Sequence, residues 1–214
     1  LGRRIPTTAK YNKIINHIDS GRNVLISGIP VSGKSTLLMQ VAAYSESKKV
    51  KLFEDAITIE KANSIIRTSN GKGQVILFLD NVGDSVDALD TLTSAENIQV
   101  IGADRSMNIG FGSHRFNSNK FVTIDCSDLE QSDFPKIFES IPPAIRSERM
   151  EIPKVDNQYN PSAFEFIEKN VKGQNISARY TDVLTHLREN RTKIHDLFVM
   201  IYYVFSCHAP VSFD

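Results

Sequence analysis

Apolar and polar positions fall into blocks of two kinds along this chain. Tyr11, Ile14, Ile15 and Ile18 recur at helical spacing within TTAKYNKIINHID, so residues 7–19 predict a helix that ends at the SGR break. NVLIS, residues 23–27, is a short β-branched run of the kind that fills a parallel strand buried on both faces. A Gly-rich loop follows, and STLLMQVAAYSES predicts a second helix. VKLFED (50–55) reads as a strand, and TIEKANSIIRTS (58–69) as a helix with Ile59, Ala62 and Ile66 on one face. QVILFLD (74–80) is the strongest strand signal. DSVDALDTLTSA predicts a short helix with Asp84 or Ser85 as its cap. IQVIGAD (98–104) and FVTIDCS (121–127) read as further strands. Strands separated by helical stretches build parallel βαβ units.

Beyond residue 128 the strand signals stop. DLEQSDFPKIFESI (128–141) is helical, with Pro135 in an early turn, and the Pro142–Pro143 pair breaks it. PSAFEFIEKN predicts a helix with Pro161 at its first position. Residues 176–190 and 193–206 read as two more helices. The expected organisation is an α/β core over 1–140 and a small helical lid domain over 141–214, leading toward a further domain. The abrupt ends, LGRRIPTT and APVSFD, read as those of a fragment of a longer protein.

Composition narrows the class. The 214 residues are enough for one sizeable core, and 41% hydrophobic with 23% charged is ordinary globular usage. The formal net charge of zero argues against a broad nucleic-acid surface. The most apolar run, Leu197–Phe205, is too short to span a bilayer, so no membrane partner is expected. Cys126 and Cys207 lack metal-like spacing, the histidines are scattered, and no signal peptide precedes the first motif; a reducing cytoplasm is the simpler location.

The chemistry centres on Gly28-Ile29-Pro30-Val31-Ser32-Gly33-Lys34-Ser35, which matches G-x-x-x-x-G-K-[ST] between a predicted strand and a predicted helix. Inward-turned backbone N–H groups and a helix N-terminus form an anion nest there. Lys34 can reach β- and γ-phosphates, Ser35 can ligate Mg²⁺, and Thr36 is placed for the α-phosphate. VILFLDNVGD places Asp80 at the C-terminal end of a buried strand, where a carboxylate can hold Mg²⁺ through water. Arg105 follows another apolar strand at the same end and can sense the γ-phosphate.

The P-loop, LFLDNVGD, the later strand IGADR and a helical end together resemble the STAND class of P-loop NTPases, with its NB-ARC and NACHT modules, close to the AAA+ ATPases. The resemblance implies a five-stranded parallel sheet of order 5-1-4-3-2 followed by a helical domain. It makes Arg105 a sensor 1 arginine. LGRR is similar to a segment that contacts adenine in those modules, which makes Gly2, Arg3 and Ile5 candidate base contacts. It further implies ATP or ADP with Mg²⁺, homo-oligomerisation through the NTPase module, effector and sensor domains elsewhere in the same chain, and a foreign-protein trigger, as in anti-phage defence. Three features depart from the pattern. Val31 stands where Gly is commoner, and the lid shows no GLP-type motif. Asn81 stands where many ATPases carry a catalytic Glu; Asn orients water but is a poor base, and Asp84 is the nearest substitute.

Two other readings compete with a slow regulatory ATPase. One is a motor or DNA-processing ATPase, for which RSMNIGFGSHRFNSNK (105–120) would be the contact loop if it is more than a flexible connection between strands. The other is an interaction module with a dead site, against which Lys34, Ser35 and Asp80 argue.

Overall fold

The fold was analysed in a computed structural model, which describes residues 6–44, 50–71, 73–153, 160–172, 185, 188 and 189. Side chains of Tyr44 and Phe111 are outside that description. So are the expectations placed on Gly2, Arg3 and Ile5, on the helices at 176–190 and 193–206 as wholes, and on the 197–205 run.

Five strands, β1 (Asn23–Ser27), β2 (Val50–Glu54), β3 (Val75–Asp80), β4 (Ile98–Ala103) and β5 (Phe121–Asp125), form one parallel sheet. Their spatial order is β2-β3-β4-β1-β5, which is the expected 5-1-4-3-2 read from the other edge. Among the described residues seven α-helices with bounds accompany them: α1 (Ala9–Asp19), α2 (Lys34–Tyr44), α3 (Ile59–Ser69), α4 (Val86–Thr93), α5 (Ser106–Gly112), α6 (Phe134–Ser140) and α7 (Ala163–Asn170).

Alternation along the strands builds a core on each face of the sheet. Val24, Ile26, Ile76, Phe78, Ile101 and Ala103 meet Ile14 and Ile18 of α1 and Leu38 and Val41 of α2. Leu25, Leu77, Leu79 and Val100 face the other way, against Ala62 and Ile65 of α3 and Leu89 and Leu92 of α4. Most of these side chains are fully buried. Each such Leu, Ile or Phe contributes about 1.5–3 kcal/mol. Both-face burial explains why the strands read as continuous apolar runs.

Register fixes the working edge. Ser27 pairs with Asp125, Ile26 with Ala103, Ala103 with Asp80, and Leu79 with Glu54, so all five strands end together. The loops leaving that edge carry every chemical motif of the core.

Several local expectations shift. In α3 the buried positions are Ala62, Ile65 and Ser69, whereas Ile59 is exposed: it opens the helix beside the Thr58 cap and turns outward. Neither Asp84 nor Ser85 caps α4 through its side chain; a 3₁₀ turn over Val82–Ser85 leads into that helix, and Ser85 Oγ accepts instead from Ile57 N at 2.9 Å. α7 begins at Ala163 rather than Pro161, because Ser162 supplies the reciprocal cap: its Oγ accepts from Glu165 N and its N donates to Glu165 Oε2. Residues 105–120 are not a plain connection. They hold α5, Arg115 makes two hydrogen bonds to the Asp87 carboxylate, and buried Phe116 stacks edge-on against Phe121 at 5.5 Å.

The chain divides into two compact units, Leu1–Asn170 and Val171–Asp214. The first holds the sheet and α1 to α7, so the described part of 141–170 falls within it. Among the described residues no helix is long and apolar enough to cross a membrane.

Candidate functional site

The loop between β1 and α2 is shaped by its backbone. Gly33 takes φ +91° and Val31 φ +55°, both in the half of conformational space that favours Gly. Gly28 is required for space: a Cβ there would lie 2.7 Å from Ser32 Oγ and 3.2 Å from the backbone of Cys126 and Ser127. Neighbouring loops brace the turn. Ile29 N donates to Ser127 Oγ at 3.3 Å, and Ser106 N donates to Gly28 O at 3.2 Å. Pro30 and Val31 lie on the outer side, with Val31 69% exposed. Ser32 Oγ is buried and, among the described residues, has no hydrogen-bond partner. A buried orphan hydroxyl costs about 1–3 kcal/mol. A phosphate oxygen in the nest would satisfy it.

Lys34 and Ser35 open α2, where the helix dipole favours anions. The Lys34 ammonium donates to Ile29 O at 2.7 Å, across the mouth of the loop. Burial holds its pKa below the usual lysine value, and the nearby Arg105 guanidinium lowers it further, against the pull of Asp104, Cys126 and Asp80. The structure therefore brings Arg105 to the P-loop lysine, and a polyphosphate would relieve the repulsion between the two cations. Thr36 is exposed on the first turn.

From β3, Asp80 Oδ1 accepts from Ser35 Oγ at 3.1 Å. A hydroxyl and a carboxylate so placed suit Mg²⁺, which is usually bound by one or two side chains together with substrate phosphates. The residues thus fit the ion, and Ser35 and Asp80 would hold it. Mg²⁺ would supply charge neutralisation at the phosphates. Among the described residues, no cluster of three or more His, Cys, Asp or Glu side chains offers a separate metal cage.

Two acidic residues that sequence reading passed over organise this edge. Asp104, only 5% exposed, accepts from Gly83 N at 2.6 Å, Arg105 N at 2.6 Å and Asn108 Nδ2 at 2.8 Å, which ties the loop after β3 to the loop after β4. Asp55, one residue past β2, accepts from Asn81 Nδ2 at 2.6 Å. Asn81 itself is left-handed, φ 55° and ψ 51°.

A cavity of about 530 Å³ opens beside the P-loop. Its floor is the run from Val31 to Leu37. Its walls are Pro6 and Thr8 ahead of α1, Leu129 and Ile137, and Phe164 and Ile167 of α7. Pro6 is fixed by Gln40, whose Nε2 donates to its carbonyl at 3.1 Å. The start of α1 is fixed by fully buried Asp133, which accepts from Ala9 N at 2.8 Å. The lid-side surface, invisible as a motif, is an apolar helix face. It is held by Phe134 and Phe166, whose rings lie 5.0 Å apart.

A parallel sheet of this order, with the phosphate-binding loop after β1 and the carboxylate after β3, defines a P-loop NTPase. Residues 6–101 match the family model "Novel STAND NTPase 3", nSTAND3. That stretch carries both nucleotide motifs: it is a nucleotide-binding NTPase module, similar over these residues to that family. No curated protein matches the chain. Among solved structures, a chain from Drosophila ORC bound to AT-rich DNA and Cdc6 is 16% identical with a TM-score of 0.44, over 63% of each chain. One from Drosophila ORC bound to DNA is 17% identical with a TM-score of 0.43, over 56% of this chain and 89% of that one. One from a structure of two coordinating Pif1 helicases at forked dsDNA is 16% identical with a TM-score of 0.38, over 63% and 48%. This chain spans less than two thirds of the first of these. These likenesses are remote, and nothing about DNA passes from them to this chain.

Proposed function

We propose that this module binds ATP or ADP with Mg²⁺ and hydrolyses ATP slowly. In this reading it is a regulatory switch in a larger cytoplasmic protein, moving it between a closed form and an oligomeric active form. The partners are further copies of the same module, effector and sensor domains of the same chain, and a foreign-protein trigger of the anti-phage or immune type. The core over 1–140 would grip the nucleotide, and the helical part over 141–214 would be a separate lid domain.

The observation that carries the nucleotide reading is the Ser35–Asp80 contact beneath an anion nest with an orphan hydroxyl. Asn81, where a Glu would polarise water directly, supports slow turnover. Lys34 and Arg105 support the switch, because cations at the γ-phosphate bind ATP and ADP differently, and only differential affinity shifts a conformational equilibrium. Arg115 and Phe116 are engaged within the fold, which leaves less of the 105–120 segment for DNA.

The test is calorimetric titration of ATP and ADP with Mg²⁺. Lys34→Ala should weaken both by roughly 10- to 100-fold, the worth of lost charge-assisted hydrogen bonds, with unchanged circular dichroism. Asp80→Ala should spare binding more than hydrolysis. Normal ATP affinity in Lys34→Ala would refute the site, and rapid steady turnover of the unpartnered wild-type chain would refute the switch.

A further inference from the structure

Resting on the NTPase reading above, one question stays open at this edge: which group takes the proton from the attacking water. The described carboxylates there have different commitments. Asp80 Oδ1 accepts from Ser35 Oγ and, at 3.3 Å, from Asn81 N. Asp104 is buried, and both its oxygens accept from loop donors. Asp125 Oδ1 accepts from Ser127 N and Oγ. Asp84 is exposed in the 3₁₀ turn, but among the described residues no hydrogen bond joins its carboxylate to Asn81.

Asp55 differs. Glu54 pairs in register with Leu79, so the next residue, Asp55, falls level with Asp80 at the sheet edge. It is exposed, so a proton it accepts can return to solvent. Its Oδ1 binds Asn81 Nδ2 at 2.6 Å. A carboxylate only accepts, so the amide must present its NH₂ to Asp55, which leaves the amide oxygen of Asn81 as an acceptor for a water proton. Asn81 is held in the left-handed region, which Asn tolerates better than most residues. The pair thus divides the work of the missing Glu: Asn81 orients and Asp55 carries the charge.

We propose that Asp55 is the general base of this NTPase site and Asn81 its positioning residue. The water oxygen forms a bond to the γ-phosphorus, the bond from that phosphorus to the β,γ-bridging oxygen breaks, and ADP leaves with the electron pair. The water proton passes to the Asp55 carboxylate and from there to solvent, giving ADP, inorganic phosphate and a proton.

The experiment measures ATP hydrolysis and calorimetric ATP binding with Mg²⁺ in the whole chain, for wild type, Asp55→Asn, Asn81→Ala and the exchange Asp55→Asn with Asn81→Asp. Asp55→Asn should lower kcat by about 10²- to 10⁴-fold, the usual worth of a general base. KM and the binding constant should stay within about threefold, and the acid limb of the pH–rate profile should vanish. Asn81→Ala should lower kcat but keep the acid limb. The exchange, which returns a carboxylate to the other side of the same hydrogen bond, should recover at least about tenfold over Asp55→Asn, since a base within reach of the water is again present. Wild-type turnover or a retained acid limb in Asp55→Asn overturns the proposal while the nucleotide reading stands. Wild-type binding without any turnover also overturns it, leaving a site that only holds nucleotide. Absence of ATP binding by the wild type sinks the nucleotide reading itself, and Asp55 with it.

Discussion

Val31 is the residue least suited to its place. A β-branched side chain at φ +55° pays about 1–2 kcal/mol for the left-handed backbone. At 69% exposure it recovers little of that by burial. Glycine there would remove the steric cost and add about 0.5–1 kcal/mol of backbone entropy cost. Val31→Gly should therefore leave stability unchanged or raise it by up to about 1 kcal/mol. The check is the urea midpoint at constant slope; a loss above about 1 kcal/mol would show that Val31 makes a contact beyond its own loop. Much of the site is legible at this scale. Gly28, Lys34, Ser35 and Asp80 stand out because their chemistry demands their residue types, and the structure joins Ser35 to Asp80. Asp55 and Asp104 do not stand out. Their importance arises from strand register and loop closure, which put distant residues within 3 Å; Asp55 sits in no motif, and in IGADR it is Arg105 rather than Asp104 that draws the eye.

At the scale of elements, the strands read clearly because a parallel strand covered on both faces needs a continuous apolar run. Helix faces read less well. Ile59 and Ile65 are equally apolar, yet Ile65 packs beside Ala62 in the core while Ile59 is exposed, a choice made by tertiary packing rather than by local pattern. The pairing of α6 with α7 was not legible at all, because it depends on a small apolar cluster between residues far apart in the sequence. Phe134, Ile137, Phe166 and Leu129 form that small cluster, with Phe166 fully buried. Phe166→Ala should cost about 3–5 kcal/mol locally and release α7 from the cavity wall. ATP affinity should then fall well below wild type while pyrophosphate affinity holds, since the phosphate loop packs elsewhere. Equal loss for both ligands in calorimetry would deny α7 a part in the nucleoside side of the cavity.

For the whole molecule, the site is assembled from elements spread between Pro6 and Ile167, so ligand binding should be felt as global stability. A nucleotide at one hundred times its dissociation constant adds about 2.7 kcal/mol to the folded state, which for a unit of this size raises the melting temperature by roughly 5–10 °C. ATP or ADP with Mg²⁺ should produce that shift in a thermal melt, and Lys34→Ala should abolish it. A shift that survives Lys34→Ala would place the stabilising nucleotide away from the P-loop.

Gly102, in the middle of the sheet, touches no ligand. A Cβ there would lie 2.2 Å from Val82 Cγ2 and 3.2 Å from Leu25 Cδ2, because the loop after β3 lies across β4 at that point. In a saturation mutagenesis screen this position should be as intolerant as Lys34, and for the opposite reason. Replacements at Lys34 should leave an abundant, inert protein, whereas replacements at Gly102 should deplete the protein itself. Scoring cellular abundance beside nucleotide binding would separate the two, and a Gly102 variant that is abundant but fails to bind nucleotide would mean that the crossing shapes the site rather than merely packing the fold.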